Sequence, residues 1–308
     1  MILVVGATGT VGRRVIDSLL EKNISGIRAL ARGKSDWEGN LFPGYRRQGI
    51  DVVVGDSRSE STVERAVEGC KAIINCAGLM RETADDDLQS VNVEAVENLV
   101  SKGKSAGVQR FVHLSCLGST EHSSTAYFSC KWDAEEIVRK SGLHWTIFRP
   151  SLVFDEQSAL FRITNFWIQR TPFIVMVGSG LNRFQPISAE DVAECMVQCV
   201  YDRETSGKTY DLTGPETLDL HTLLIKIAES QGRQVREIKI PSSVGIPIAG
   251  LIGKLNPKSP IDNNVMSLMT SELIGDEAPM LKKFKLKRLS IAKALAAIES
   301  TDEEESDE

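Results

Sequence analysis

The stretch that most constrains this chain is residues 2–14, ILVVGATGTVGRR. Ile2 to Val5 is a short apolar, mostly β-branched run of the kind that forms a strand buried on both faces. Glycines follow at 6, 9 and 12. Val11, Val15, Ile16, Leu19 and Leu20 then recur at helical spacing to about Glu21. A strand, a glycine turn and a helix in that order build a diphosphate site. The glycines let the backbone turn tightly and approach a ligand, and the helix start offers unpaired N–H groups at a positive dipole end. The spacing is G-x-x-G-x-x-G and not G-x-G-x-x-G, so the physics of the dinucleotide fingerprint is met without its letter.

Further strands are expected at Ile27–Ala31, Asp51–Gly55, Ala72–Cys76, Arg110–Leu114 and Trp145–Arg149, with helices over about 88–101 and 127–140. Alternation at these lengths predicts an α/β fold of the Rossmann type, a doubly wound parallel sheet with helices on both faces and ligands at the strand C-termini. The domain is expected to run over residues 1–155. A smaller substrate lobe follows over 156–299, interleaved with the sheet domain and returning to it over about 185–215. Residues 156–190 read as loop-rich, Ala189–Tyr201 as a helix, Thr209–Gly214 as a strand, and Leu218–Gln231 as a helix capped by Asp219. Residues 240–256 are apolar with two prolines and several glycines. They are expected to form a buried irregular helix, the alternative being a protein-partner or membrane-surface patch.

The net charge of −6 over 308 residues equals the six acids of 301–308, TDEEESDE, so the rest is neutral and carries no basic excess for nucleic acid. The tail, residues 300–308, reads as disordered and solubilising. Six cysteines without a CxxC fit reduced thiols and a cytoplasmic setting. Cys195 and Cys199 share a helical face but lack further ligands, so no metal site is expected. With the first strand read at residue 2, no secretory signal is expected, and no apolar run reaches the ~18 residues of a membrane span.

Two sets of residues carry chemistry. At the end of the second strand stands Arg32, twenty positions past Gly12, where an acid would favour NAD and an arginine suits a 2′-phosphate; NADP is therefore expected over NAD. The second set is Ser115, Tyr127 and Lys131. The four-residue offset of Tyr127 and Lys131 puts them on one helical face, where an ammonium is expected to lower the phenol pKa and make Tyr127 an acid/base. Ser115, at a strand end, is placed to hydrogen-bond a substrate oxygen.

On GATGTVG, Asp56, NCAG (75–78), Asn92, Ser115, YFSCK and RPSLVF (149–154), the chain resembles the atypical or extended short-chain dehydrogenases/reductases over about residues 1–215. RFQPISAEDVAE (183–194) and YDLTGPETL (210–218) bring it nearest to prokaryotic relatives of the nucleotide-binding accessory subunit of respiratory complex I and to NmrA-like proteins. The resemblance implies NAD(P) along the strand ends. Gly6, Gly9 and Gly12 with the backbone of Thr8, Thr10 and Val11 would meet the diphosphate, Arg32 the 2′-phosphate and Asp56 the adenine. Ala77 and Gly78 would lie near the riboses, Lys131 would hold the nicotinamide ribose, and Pro150 and Leu152 would flank the nicotinamide. Arg183 and Gln185 are substrate-pocket candidates. The expected function is hydride transfer between nicotinamide and a carbonyl or alcohol, with sugar-nucleotide and quinone-like small molecules both admissible; the alternative is a non-catalytic dinucleotide-binding sensor or assembly factor.

Overall fold

The computed structural model describes residues 1–33, 36–123, 125–155, 158–255 and 263–296. Along the chain run β1 (Ile2–Val5), α1 (Thr10–Glu21), β2 (Ile27–Ala31), α2 (Asp36–Arg47), β3 (Asp51–Val54), α3 (Glu60–Val67), β4 (Ala72–Asn75), α4 (Ala95–Ser105), β5 (Arg110–Leu114), α5 (Ala126–Lys140) and β6 (His144–Pro150). They are followed by β7 (Val153–Phe154), α6 (Ala159–Arg170), β8 (Phe173–Val177), β9 (Arg183–Phe184), β10 (Ile187–Ser188), α7 (Ala189–Tyr201), β11 (Lys208–Leu212), β12 (Leu218–Asp219), α8 (Leu220–Ser230), β13 (Arg236–Ile240), α9 (Ser242–Leu255), α10 (Asn263–Met269) and α11 (Ala278–Lys283). Two compact units divide these elements.

The first unit holds Met1–Pro150, Ala189–Asp211 and Ala278–Leu286. Its seven-stranded sheet has the order β11-β6-β5-β4-β1-β2-β3, and β1 to β6 pair in parallel. This is the Rossmann arrangement. All four residues of β1 are buried, because helices cover both faces of a sheet in which it is central. Leu3 and Val5 join Ile73, Leu99, Phe111 and Ile147 in one core. The chain leaves β1 in one direction and β4 in the other, and the crevice between those strand ends is where a ligand enters such a sheet. Helix α7 lies against α1, where Ser18 Oγ and Lys22 Nζ both donate to Glu194 Oε2 at 3.0 and 2.8 Å. Phe148, Tyr210 and Phe284 pack ring against ring at centroid distances of 5.1–5.8 Å, Phe148 stacked on Tyr210 and Phe284 edge-on to both, tying β6, β11 and the segment after α11 together.

The second unit comprises Ser151–Ser188, Leu212–Glu277 and the chain from Lys287. Among the described residues it has three two-stranded pairings, β7 with β10, β9 with β12 and β8 with β13. Asp219 caps α8, accepting from Thr222 N at 2.7 Å. Residues 156–190 are more regular than their sequence suggests. Ser158 caps α6, and β8 pairs in parallel with β13, about sixty residues downstream. Residues 242–255 do form a helix, but not the buried one expected. Helix α9 turns Gly245 and Ala249 inward, where a Cβ on Gly245 would meet Val177 at 2.6 Å. With its small residues against β8, its large ones face out: Val244, Ile248, Leu251, Ile252 and Leu255 are exposed.

All six cysteines are free thiols. Among the described residues there is no cluster of potential metal ligands, and no helix is long and apolar enough to cross a membrane. The acidic tail lies outside the described residues.

Candidate functional site

The cleft at the C-terminal ends of β1, β2 and β4 is shaped by two glycines, Gly6 and Gly12, that leave no room for a Cβ. Gly6 sits at φ +73°, a left-handed conformation costly for any residue with a Cβ, and an added Cβ there would lie 2.7 Å from Ala77 N. At Gly12 a Cβ would lie 2.1 Å from Gly6 O, so the helix packs directly onto the turn. Gly9 N donates to Gly6 O at 3.0 Å and closes that turn. Gly9 then stands at the N-cap of α1, which has neither a side-chain cap nor an acid in its first turn. The amides of Thr10, Val11 and Gly12 therefore open α1 with no side-chain acceptor of its own to take them. Tyr45, from α2, fixes the loop from behind: its buried hydroxyl donates to Ala7 O at 3.0 Å, and burial pushes its pKa up to about 12.

The cleft, about 190 Å³, is lined by Gly6, Thr8 and Gly9, by Arg32 at the end of β2, by Asp56 past β3, and by Ala77 and Gly78 past β4. Seven expected cofactor contacts thus share one wall. Asp56 is engaged by Arg58, whose Nη2, Nε and backbone N approach its carboxylate at 2.7, 3.0 and 2.9 Å. Burial would raise the Asp56 pKa, but the hydrogen bonds and charge of Arg58, with that of Arg32, outweigh it and hold the carboxyl below its ordinary range. Arg32 donates through Nη1 to Asp86 Oδ2 at 2.5 Å. Neither Arg58 nor Asp86 was marked by any motif, because both come from loops whose spacing carries no signal.

The second constellation adjoins the first. Lys131 Nζ lies 2.9 Å from where a Gly78 Cβ would stand, and donates to Leu114 O at 3.1 Å. Asn92 clamps the same corner, accepting from Leu79 N at 3.0 Å and donating to Leu79 O at 2.8 Å. The π-helical turn over Ser90–Glu94 is where Asn92 sits, and such bulges often mark functional positions.

Tyr127 is one turn before Lys131 on α5, with the ammonium 5.9 Å from its ring centroid. The expected lowering of its pKa is not found. Burial, then the neighbouring Cys116 and the hydrogen bond to that thiol, hold the phenol well above 10. The lysine cannot reverse this, since its ammonium is turned to the Leu114 carbonyl and is itself lowered by burial, a loss only partly offset by Cys116 and Glu135. Nor is Ser115 a spare donor. Its hydroxyl gives its proton to Glu135 Oε1 at 2.5 Å. Glu135 is fully buried and also pairs with Arg139 and, at 2.6 and 2.8 Å, with Arg149. Tyr127, Lys131 and Glu135 repeat every four residues along one face of α5, a pattern visible in the sequence once the third member is looked for.

Pro150 ends β6 in the first unit. Leu152, Arg183 and Gln185 belong to the second. There Arg183 pairs with Glu272, and Gln185 Oε1 accepts from Gly275 N at 2.8 Å.

The cradle, the uncapped helix amides and the polar groups beyond β2 and β3 fit a dinucleotide. A family profile described as NAD(P)H-binding matches residues 6–203. The chain belongs to the NAD(P)H-binding family. Within it, the chain is 27% identical over 287 residues to the mitochondrial NADH dehydrogenase [ubiquinone] 1 alpha subcomplex subunit 9 of Arabidopsis thaliana, covering 89% of this chain and 71% of that one. Against this and other mitochondrial NADH dehydrogenase subunits, the chain spans between 65% and 74% of their length. It is 25% identical over 240 residues to an NAD(P)H azoreductase of Xenophilus azovorans, covering 78% and 77%. The fold matches an NADPH-dependent quinone oxidoreductase of Escherichia coli complexed with NADPH, at TM-score 0.75, 20% identity and coverage of 97% and 99%.

Proposed function

We propose that the protein is an NAD(P)H-dependent reductase of the short-chain dehydrogenase type, acting on a carbonyl or quinone-like small molecule with Tyr127 as the proton donor. The observation that carries this reading is the packing of Lys131 against Gly78 at the edge of the cleft, with Tyr127 one turn away on the same helix face. Bound NAD(P)H supplies the hydride. Tyr127 is a phenol held well above 10, so it stays protonated at neutral pH. For a carbonyl substrate a protonated phenol suits the reductive direction, because the alkoxide that develops is more basic than a phenolate and takes the proton downhill; the oxyanion of a reduced quinone is itself phenolate-like and has no such driving force. Lys131 holds the nicotinamide ribose, with Pro150 beside the nicotinamide. Ala77 and Gly78 allow backbone approach to the riboses, and Asp56 meets the adenine. The amides of Thr10 and Val11 and the loop at Thr8 take the diphosphate. Arg32 at the end of β2 meets a 2′-phosphate, which favours NADPH over NADH.

The test is turnover of NADPH over a panel of quinones and carbonyls, with Tyr127→Phe as the control. General acid catalysis contributes about 100-fold or more. On this reading kcat falls by that factor in Tyr127→Phe while NADPH affinity is kept. A variant that turns over within about twofold of wild type removes Tyr127 from the chemistry.

A second reading is favoured by α9. Its five outward-facing apolar residues form a stripe at helical spacing, the kind of surface that a partner protein covers. A similar protein is named as a subunit of NADH dehydrogenase. On that reading the chain binds NAD(P)H without turnover, as a sensor or assembly factor, and the whole substrate panel is inert while NADPH still binds.

A further inference from the structure

Beyond β2 and β3 four charges alternate in a run: Arg32, Asp86, Arg58 and Asp56. Asp86 bridges the two arginines, taking Arg32 Nη1 on Oδ2 at 2.5 Å and Arg58 Nη2 on Oδ1 at 2.8 Å. It is 7% exposed. Its backbone is held as firmly as its side chain. Asp86 N donates to Thr83 Oγ1 at 3.1 Å, Thr83 N donates to Asp86 O at 2.8 Å, and Arg58 Nη1 donates to Asp85 O at 3.0 Å. A carboxylate so fixed is not a passing surface partner. It is a built counter-charge for Arg32, which lines the cleft.

We propose that Asp86 sets the discrimination of this site between a ribose 2′-hydroxyl and a ribose 2′-phosphate. The inference rests on the cleft being the NAD(P)H site. A cofactor bearing a 2′-hydroxyl leaves the Arg32–Asp86 pair intact. One bearing a 2′-phosphate brings a second anion to an arginine that already has one, and must share its fork against the repulsion of Asp86 or draw Arg32 away from it. The guanidinium has donors enough to do so, and its side chain is 37% exposed. Asp86 therefore trims the NADPH preference that Arg32 alone would give, and the protein accepts both cofactors.

The test is direct titration of NADPH and NADH, followed by nicotinamide fluorescence and calorimetry, on wild type, Asp86→Asn, Arg32→Ala and the double variant. Asparagine keeps the shape and an acceptor for Arg32 while removing the charge. The NADPH-to-NADH affinity ratio is expected to rise by about tenfold or more in Asp86→Asn. NADH affinity stays within about threefold, since no charged contact to that cofactor is altered. The double variant loses the gain. A ratio unchanged in Asp86→Asn, with both cofactors bound, overturns the role of Asp86 and leaves the cleft assignment standing. Failure of wild type to bind either cofactor overturns the cleft assignment itself. Should Asp86→Asn not fold, Arg32→Ala in the wild-type background still decides: it is expected to weaken NADPH by less than about tenfold, because Asp86 already neutralises Arg32, and a loss beyond about 100-fold refutes the proposal.

Discussion

Replacing Glu135 with leucine strands the Arg149 guanidinium, while Arg139 keeps Glu136 at 2.9 Å. The carboxylate is fully buried and serves three partners: Arg139, Arg149 through two bonds at 2.6 and 2.8 Å, and the Ser115 hydroxyl at 2.5 Å. Taking away one side of a buried ion pair costs about 3–5 kcal/mol, because the other side keeps its desolvation penalty. Here the arginine side chains retain 23% and 21% exposure, so water recovers part of that loss and the lower end applies. The Ser115 hydroxyl loses its charged acceptor but keeps Ser119 Oγ at 3.2 Å, and adds at most roughly 1 kcal/mol. The total is about 3–4 kcal/mol, or a drop in Tm of roughly 6–16 °C for a unit of this size. Urea unfolding followed by tryptophan fluorescence measures it, Trp132 being a useful reporter since both arginines lie over its ring. Glu135→Leu combined with Arg149→Met removes one stranded charge, so the double variant is expected to be more stable than Glu135→Leu alone. A single-variant loss under about 1 kcal/mol, or a double variant less stable than the single, refutes the reasoning.

Two further outcomes are expected. His113 is buried at the centre of the sheet, with Nδ1 accepting from Asn75 Nδ2 at 3.2 Å and Nε2 lacking a partner; burial, then the charges of Lys131 and Arg139, hold its pKa well below 6.5. The native state thus stays neutral where the unfolded state takes up a proton, and stability falls as pH drops below about 6.5, by up to about 1.4 kcal/mol per unit; in His113→Gln the slope between pH 6.5 and 5 is expected to flatten by that amount, and an unchanged slope excludes His113 as its source. On α9, Leu251→Ser with Leu255→Ser is expected to change unfolding free energy by less than about 0.5 kcal/mol while raising solubility, because these side chains are 57% and 77% exposed; a loss above about 1 kcal/mol shows that the stripe is packed.

What the sequence made legible and what it hid follow from how far apart the interacting residues lie. The first sheet was readable because β1, β2, β4 and β5 are buried almost throughout, so that apolar residues dominate each run in spite of Arg28, Asn75, Arg110 and His113. The glycine loop was readable because Gly6 and Gly12 meet within one turn. Helix α2 was not, since Gly39, Pro43 and Gly44 weaken every local signal for it. The pair β8–β13 was not, because neither strand has its partner within sixty residues. Tyr127 and Lys131 were placed on the right face, but their electrostatics were misjudged. Spacing along a helix gives proximity, whereas the phenol pKa depends on Cys116 and on burial, which come from another loop. Asp86 and Glu135 were missed for the same reason. Their roles exist only once β2, β5 and β6 have brought Arg32, Ser115 and Arg149 to them.

The central claim is that the glycine cradle between β1 and α1 holds NAD(P)H. The direct measurement is calorimetric titration of NADPH into wild type and Gly12→Ala, with circular dichroism to check the fold. At 2.1 Å from Gly6 O the new Cβ must push α1 off the turn, and its amides move away from the diphosphate. The account predicts one NADPH bound per chain by wild type, and affinity at least about 100-fold weaker in a folded Gly12→Ala, a loss of about 2.7 kcal/mol. Equal binding by both proteins would place the cofactor elsewhere and contradict it.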